Sequence, residues 1–334
     1  MPALVTLEEI QAAATRIATT ITRTPLHRLS RARLRLAGFP DLSNSAPDIY
    51  LKAESEQPIG SFKLRGAFNT IAQLPAEAVK RGVITYSSGN HAQGVAFAAR
   101  ALGGKAVIVM PSNAPQIKQQ ATKALGAEIV LVGPASLEHK LKAEELAAKH
   151  GYTIVPPYDH PHIIAGQATC GLEILEQLPN VDLVLSPVSG GGLLSGTATA
   201  IKLINPSVKV FGIEPELAAD AKESFDTKKL LEWPAEKATR TSGDGLRNQS
   251  LGELNCHHIL KYVDGIITVT EDEILAATRI ILHATKLTAE PSGAITLAAA
   301  LFHHHQLPPA KKIAAILSGG NLDPTLRAQL TTQN

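Results

Sequence analysis

Apolar positions fall into two rhythms along this chain. Short β-branched runs read as strands at 82–87 (GVITYS), 105–110 (KAVIVM), 127–132 (AEIVLV), 152–156 (YTIVP), 181–188 (VDLVLSPV), 208–214 (VKVFGIE), 265–269 (GIITV) and 311–318 (KKIAAILS). Between them, apolar residues recur at helical spacing in HAQGVAFAARALG, SLEHKLKAEELAAKHG and EDEILAATRIILHATK. Strands alternating with helices predict an α/β fold with open, mostly parallel sheets flanked by helices. The polar, aperiodic stretches 38–48 and 222–255 read as loops or excursions.

One helical stripe sits oddly. Leu64, Ala67, Phe68, Ile71 and Leu74 share a face, and the helix they define opens at Lys63 after Ser61, which reads as its cap. Cations suit the other end of a helix, because the macrodipole is positive at the N-terminus. Only Gly66 and Ala67 follow one turn on, which leaves room for a flat ligand.

Composition narrows the class. The chain has 334 residues, 44% of them hydrophobic and 19% charged, with a net charge of +2. That balance predicts neither nucleic-acid nor membrane attraction, and no apolar run reaches membrane-spanning length. Cys170 and Cys256 are too few for a disulfide framework and lack metal-ligand spacing, so they read as buried thiols of a cytoplasmic protein. The mixed-charge N-terminus does not read as a signal peptide. His303, His304 and His305 close a helix before a proline pair, where a solvated end suits the dipole better than a metal.

Three turns share one grammar of strand, small polar residues, then helix. In YSSGNHAQG (86–94), Ser87, Ser88 and Asn90 offer polar groups at a helix N-terminus, a cradle for carboxylate or phosphate. In VSGGGLLSG (188–196), Gly190, Gly191 and Gly192 leave the backbone bare enough to wrap a phosphate. In LSGGNLD (317–323), Ser318 ends the last strand. Sites in open α/β sheets form beyond the carboxyl ends of strands, so these turns have a reason to converge. A rival reading takes Gly190, Gly192 and Ser195 as a degenerate dinucleotide fingerprint, with Glu214 on a ribose. The lack of a following Gly-Lys-Ser/Thr argues against a triphosphate loop. A phosphate cradle, a second anion cradle and a lone lysine together describe a phosphorylated aldehyde cofactor beside an amino acid.

These residues resemble the fold type II pyridoxal-phosphate enzymes, in particular the serine/threonine dehydratase and serine racemase group. The resemblance runs from TRTPLHRLS (22–30) through GSFKLRGA, SSGNHAQG, AGQAT, SGGGLLSG, GIEPE, GDGLR and EPSGA to LSGGN, in the family order. It implies a two-domain architecture of the tryptophan synthase β type with the cofactor in the interdomain cleft. Residues 1–81 and 159–334 would form the larger, discontinuous domain and 82–158 the smaller. The chain looks like the short form without a C-terminal regulatory domain, and a homodimer is expected, with an amino-acid substrate and no nucleic-acid or membrane partner.

By the same resemblance, Lys63 matches the lysine that carries pyridoxal 5'-phosphate as a Schiff base, and Phe62 the aromatic residue beside the ring. Asn90 matches the partner of the ring hydroxyl, Ser318 that of the pyridine nitrogen, and Ser189 through Leu193 the phosphate loop. Ser88 matches the acid/base on the opposite face. Ser87, Ser88, Asn90 and His91 would hold the substrate carboxylate. Glu214, the Ala218 carbonyl and Asp220 match a site for Mg²⁺ or Ca²⁺ in racemase-like members.

The resemblance implies β-elimination of water from a 3-hydroxy amino acid (serine, threonine, 3-hydroxyaspartate or a similar one), giving a 2-oxo acid and ammonia. A serine racemase with dehydratase side activity is the nearest alternative. A nicotinamide-dependent oxidoreductase and a non-catalytic binding protein stand further off. Departures bear on substrate choice: Ser189 stands where many relatives have glycine, Asn248 and Gln249 follow GDGLR, and His139 falls near where relatives offer an arginine.

Overall fold

The computed structural model describes residues 2–39, 46–87, 89–114, 116–133 and 136–332. Among the described residues, ten strands form two sheets: β1 (Leu26–Arg28), β2 (Asp48–Lys52), β3 (Val83–Tyr86), β4 (Ala106–Pro111), β5 (Glu128–Val132), β6 (Thr153–Ile154), β7 (Leu183–Pro187), β8 (Lys209–Pro215), β9 (Gly265–Val269) and β10 (Lys312–Ile316). The larger sheet has the order β1-β2-β10-β7-β8-β9, and the smaller β5-β4-β3-β6. Every pairing is parallel except β1 with β2. The α/β architecture read from the alternation is therefore the one observed, with every strand named above present. The YTIVP run shrinks to two residues. β1 and β2 escaped the reading.

Period-2 patterning explains why both faces of the larger sheet are covered. Leu183, Leu185, Ile313 and Ala315 point into one core with the helix Pro291–Phe302. Val184, Ala314 and Ile316, one residue out of step, join the other core with the helix Gly192–Ile204. The helix Lys63–Ile71 packs with the helix Asn90–Ala101 in a third cluster.

The helix Pro161–Gln177 fixes where the lysine stands relative to the glycine turn. On one side it crosses the helix Lys63–Ile71 so closely that a Cβ on Gly166 would lie 2.7 Å from the Arg65 carbonyl oxygen. On the other side, a Cβ on Gly196 would lie 2.5 Å from the Ile164 carbonyl oxygen. Backbone this near demands small residues, which the sequence supplies as AGQAT and GLLSG.

Three expectations need correction. Ser61 does not cap the lysine helix: Phe62 occupies that position, while Ser61 pairs with Gly319 in an isolated antiparallel bridge. The stretch 222–255 is partly helical, with Asp220–Thr227, Ala235–Ala238 and the start of Glu253–Tyr262. Charged residues on a short surface helix carry no apolar stripe strong enough to betray it. His303 is not simply a solvated helix end, since its Nε2 lies 2.8 Å from Glu273 Oε2; His304 and His305 are exposed. Of the loop expected at 38–48, residues 40–45 lie outside the described residues, and Asp48 already belongs to β2.

Candidate active site

Lys63 is the first residue of its helix, and its Nζ donates to the Pro157 carbonyl oxygen at 2.8 Å. The same amine lies 5.3 Å from the centre of the Phe62 ring. Burial disfavours the ammonium and lowers its pKa to about 8. The amine is thus within reach of its neutral, nucleophilic form near neutral pH. Gly66 does not leave room for a ligand. A Cβ there would lie 2.6 Å from Gln167 Nε2, so its smallness serves the crossing of helices.

Two fully buried cations anchor this helix, Arg65 within it and Lys52 at the end of β2. Arg65 makes bidentate contacts to both Glu54 (2.7 Å and 2.7 Å) and Glu173 (2.7 Å and 2.9 Å), and Lys52 reaches Glu173 at 2.5 Å and the Thr24 carbonyl oxygen at 2.6 Å. Two cations against two carboxylates leave the cluster neutral. It ties the lysine helix to the end of β2 and to the helix Pro161–Gln177. No periodic signal marks it in the sequence, because ion pairing across elements leaves none.

The first and third polar turns meet. Asn90 begins the helix after β3; its Oδ1 accepts from Asn321 Nδ2 at 2.7 Å, and its Nδ2 donates to Glu290 Oε1 at 2.6 Å. Glu290 is 5% exposed, and burial pushes its pKa up to about 7, with the charge of Asp244 adding to the rise. Ser318, also buried, accepts the Phe62 N–H on its carbonyl oxygen and donates from Oγ to the Ser292 carbonyl oxygen at 3.3 Å. Ser87 Oγ accepts the Gly89 N–H at 3.3 Å. His91 is buried, with Nε2 3.0 Å from the Val155 carbonyl oxygen, and burial beside Lys63 lowers its pKa to about 3. A neutral imidazole donating from Nε2 leaves Nδ1 an acceptor, which has nothing to give a carboxylate. Ser88 lies outside the described residues.

The glycine turn joins through Tyr158. A Cβ on Gly190 would lie 2.5 Å from both Tyr158 Cδ1 and Asn248 Nδ2, so the loop is bare where these side chains close over it. Gly191 is left-handed (φ 92°), and the helix Gly192–Ile204 follows. Its first N–H groups, including that of Leu193, have no acceptor one turn back. Bare backbone, free donors and a helix N-terminus form a donor set for a phosphate. Ser189 is left-handed too (φ 58°), which a side chain adopts only with strain. Gln249 turns away and holds Trp233 through Nε2 and its own carbonyl oxygen, while His139 Nε2 lies 3.0 Å from the Gly133 carbonyl oxygen.

Pro157, Tyr158, Glu290 and Asn321 were not singled out from sequence. Their roles come from chain segments far apart, although EPSGA and LSGGN were the signals that contained two of them.

Glu214, next to last in β8 and 1% exposed, accepts the Lys222 N–H on Oε2 at 2.8 Å. Asp220 begins the next helix, also 1% exposed, and lies close enough to raise the Glu214 pKa further above what burial alone does. Burial lifts Asp220 to about 7. Glu214 Oε1 and Asp220 Oδ2 are buried without hydrogen-bond partners. Among the described residues, no group of three or more His, Cys, Asp or Glu side chains gathers as a metal site. A buried Glu214 is closed to a ribose, which removes the support for the dinucleotide reading.

Comparison with known proteins accords with this geometry. The family described as "Pyridoxal-phosphate dependent enzyme" matches residues 17–319. The chain is 40% identical to L-threo-3-hydroxyaspartate ammonia-lyase of Saccharomyces cerevisiae, over 82% of this chain and 83% of that one. A threonine deaminase crystal structure, its source given as T.th., superposes with a TM-score of 0.87 at 43% identity, covering 95% of this chain and 99% of that one. Maize serine racemase superposes with a TM-score of 0.90 at 36% identity, covering 98% and 97%. No described helix is long and apolar enough to cross a membrane.

Proposed function

We propose that this chain, which belongs to the pyridoxal-phosphate dependent enzymes, is an ammonia-lyase (dehydratase) that converts a 3-hydroxy amino acid to a 2-oxo acid and ammonia. The observation that carries the reading is Lys63: a lysine whose pKa burial lowers to about 8, held by Pro157 beside the Phe62 ring. Tyr158, the neighbour of that proline, lies on a glycine turn suited to a phosphate.

The residues present fit pyridoxal phosphate, which when bound supplies an electron sink that acidifies the substrate Cα–H. Ser189 through Leu193 would take its phosphate, Asn90 its ring hydroxyl, and Ser318 its ring nitrogen. A serine hydroxyl does not stabilise a protonated ring nitrogen as a carboxylate would, which favours elimination over transamination. Lys63, as a neutral amine, would take the substrate α-proton. Ser87 and the free N–H groups at the start of the helix Asn90–Ala101 hold the substrate carboxylate. By the family resemblance, Ser88 would serve as the second acid/base. The β-hydroxyl would leave as water with one proton taken up, balancing the α-proton removed by Lys63, and hydrolysis of the released enamine would give the 2-oxo acid and ammonia.

Glu214, the Ala218 carbonyl and Asp220 would hold Mg²⁺ or Ca²⁺, supported by the two unpartnered buried carboxylate oxygens. The cation would neutralise two buried carboxyls whose pKa values burial raises, Glu214 further through the charge of Asp220. The smaller domain is taken as 82–158, a homodimer as the working unit, and the cytoplasm as the compartment, in keeping with two buried free thiols.

The likeness to serine racemase keeps that activity as the second reading. Serine, threonine and 3-hydroxyaspartate, each assayed for 2-oxo acid release and for the chirality of remaining substrate, separate the two. Release of 2-oxo acid with residual substrate of unchanged chirality is expected. Inversion faster than 2-oxo acid release would favour the racemase.

A further inference from the structure

We infer that Glu290 is a positioning residue: with Asn321 it fixes the side-chain amide of Asn90 so that an N–H, not the carbonyl, faces the cofactor ring oxygen. This rests on the reading that Asn90 partners the ring hydroxyl.

An amide side chain has two ends of nearly equal shape, and only its hydrogen-bond partners decide which end points where. Here the decision starts at a group that can only accept. Asn321 Nδ2 donates to the Ile59 carbonyl oxygen at 3.0 Å, which identifies that atom as the nitrogen. The same nitrogen faces Asn90 at 2.7 Å, so the atom of Asn90 it meets is the acceptor, Oδ1. Asn90 Nδ2 then points the other way, 2.6 Å from Glu290 Oε1. Above its pKa of about 7 Glu290 is a carboxylate that accepts and cannot donate, so in that range both ends of the chain of bonds enforce one orientation. One hydrogen on Asn90 Nδ2 is taken by Glu290, and the second is the donor left for the ring oxygen.

The backbone is shaped around this contact. A Cβ on Gly319 would lie 2.1 Å from Glu290 Oε1 and 3.1 Å from Asn90 Nδ2, so a side chain there would displace the carboxylate from the amide. Glu290 is held from behind by its own N–H, which donates to the Gly319 carbonyl oxygen at 3.1 Å. It occupies the cap position of the helix Pro291–Phe302, yet its side chain makes no capping bond and reaches Asn90 instead. The charged groups that bear on it are Asp244 and Lys118, which pair with each other.

A fixed donor stabilises the ionised form of the ring hydroxyl. The pH midpoint between the two absorption bands of the bound cofactor reads that ionisation without turnover. Loss of the carboxylate in Glu290→Ala should raise the midpoint by about one pH unit, tenfold in the ionisation constant, because a charge-assisted hydrogen bond no longer orients Asn90. Glu290→Gln keeps an oxygen acceptor and should shift it less. Because Glu290 acts through Asn90, Glu290→Ala should add nothing in an Asn90→Ala background. An unchanged midpoint in folded Glu290→Ala, or an equal shift in both backgrounds, would overturn the inference. If Glu290→Ala does not accumulate as folded protein, Gly319→Ala is read by the same criteria. Trapping of the cofactor on Lys63 with borohydride keeps the two claims apart: a wild-type protein that traps none defeats the function reading itself, whereas trapping with no band shift defeats only the role of Glu290.

Discussion

At Lys63 the chemistry turns on a desolvated amine. Only the neutral amine attacks an aldehyde, so the rate at which the cofactor-free protein captures pyridoxal phosphate should rise with pH. Because burial lowers the folded pKa from 10.5 to about 8, the rise should be half complete near pH 8. A stopped-flow pH series checks this, and a midpoint near 10 would mean the amine is solvated. Ser189 gives a prediction of two signs. Relief of its left-handed strain (φ 58°) in Ser189→Gly should stabilise the cofactor-free protein by about 1 kcal/mol in denaturant melts. The same change should loosen cofactor binding if the hydroxyl donates to the phosphate. At this scale the sequence was readable where chemistry sits in a short contiguous motif. Lys63, Asn90 and the glycine turn could be picked out in that way. The partners Pro157, Glu290 and Asn321 could not, because spatial contact between distant segments leaves no local spacing.

Among the elements, the helix Pro161–Gln177 is the spacer between the lysine and the glycine turn. Gly166→Ala would drive a methyl against the Arg65 carbonyl oxygen, and backbone cannot swing aside as a side-chain tip can. We expect a loss of about 1–3 kcal/mol, with cofactor affinity falling alongside, measured by melts and by titration. The buried cluster of Arg65, Glu54, Glu173 and Lys52 ties the same helix, through Glu173, to the lysine helix and to the end of β2. Arg65→Met would leave two buried carboxylates facing one lysine and should cost about 3–5 kcal/mol in chemical denaturation. A change under about 1 kcal/mol would mean that water reaches the cluster. The alternation of apolar residues made the parallel strands legible, since buried strands are nearly continuous apolar runs. β1 and β2 were missed because they are short and carry His27, Arg28, Asp48 and Lys52. The helix Asp220–Thr227 was missed because its sequence, DAKESFDT, is mostly polar.

Across the whole molecule, the carboxyl ends of strands from both sheets deliver the polar turns to one place. Asn90 follows β3 of the smaller sheet, whereas Ser189 through Leu193 and Ser318 follow β7 and β10 of the larger. Fold class was legible from the alternation, and the turns were expected to converge from their place at strand ends and from the family resemblance; the pairs that join them, such as Asn90 with Glu290, were not legible. The Glu214 and Asp220 pair, with one unpartnered buried oxygen on each, predicts that Mg²⁺ or Ca²⁺ raises the melting temperature. At 100 times its dissociation constant a cation would add about 2.7 kcal/mol. Glu214→Gln should abolish that gain, and an equal gain in the variant would remove the pair as the binding site. The most direct test of the central claim is 2-oxo acid release from a 3-hydroxy amino acid by wild-type protein and by Lys63→Ala, both supplied with pyridoxal phosphate. Turnover by the wild type and none above background by the variant is the predicted result; undiminished release by Lys63→Ala would contradict it.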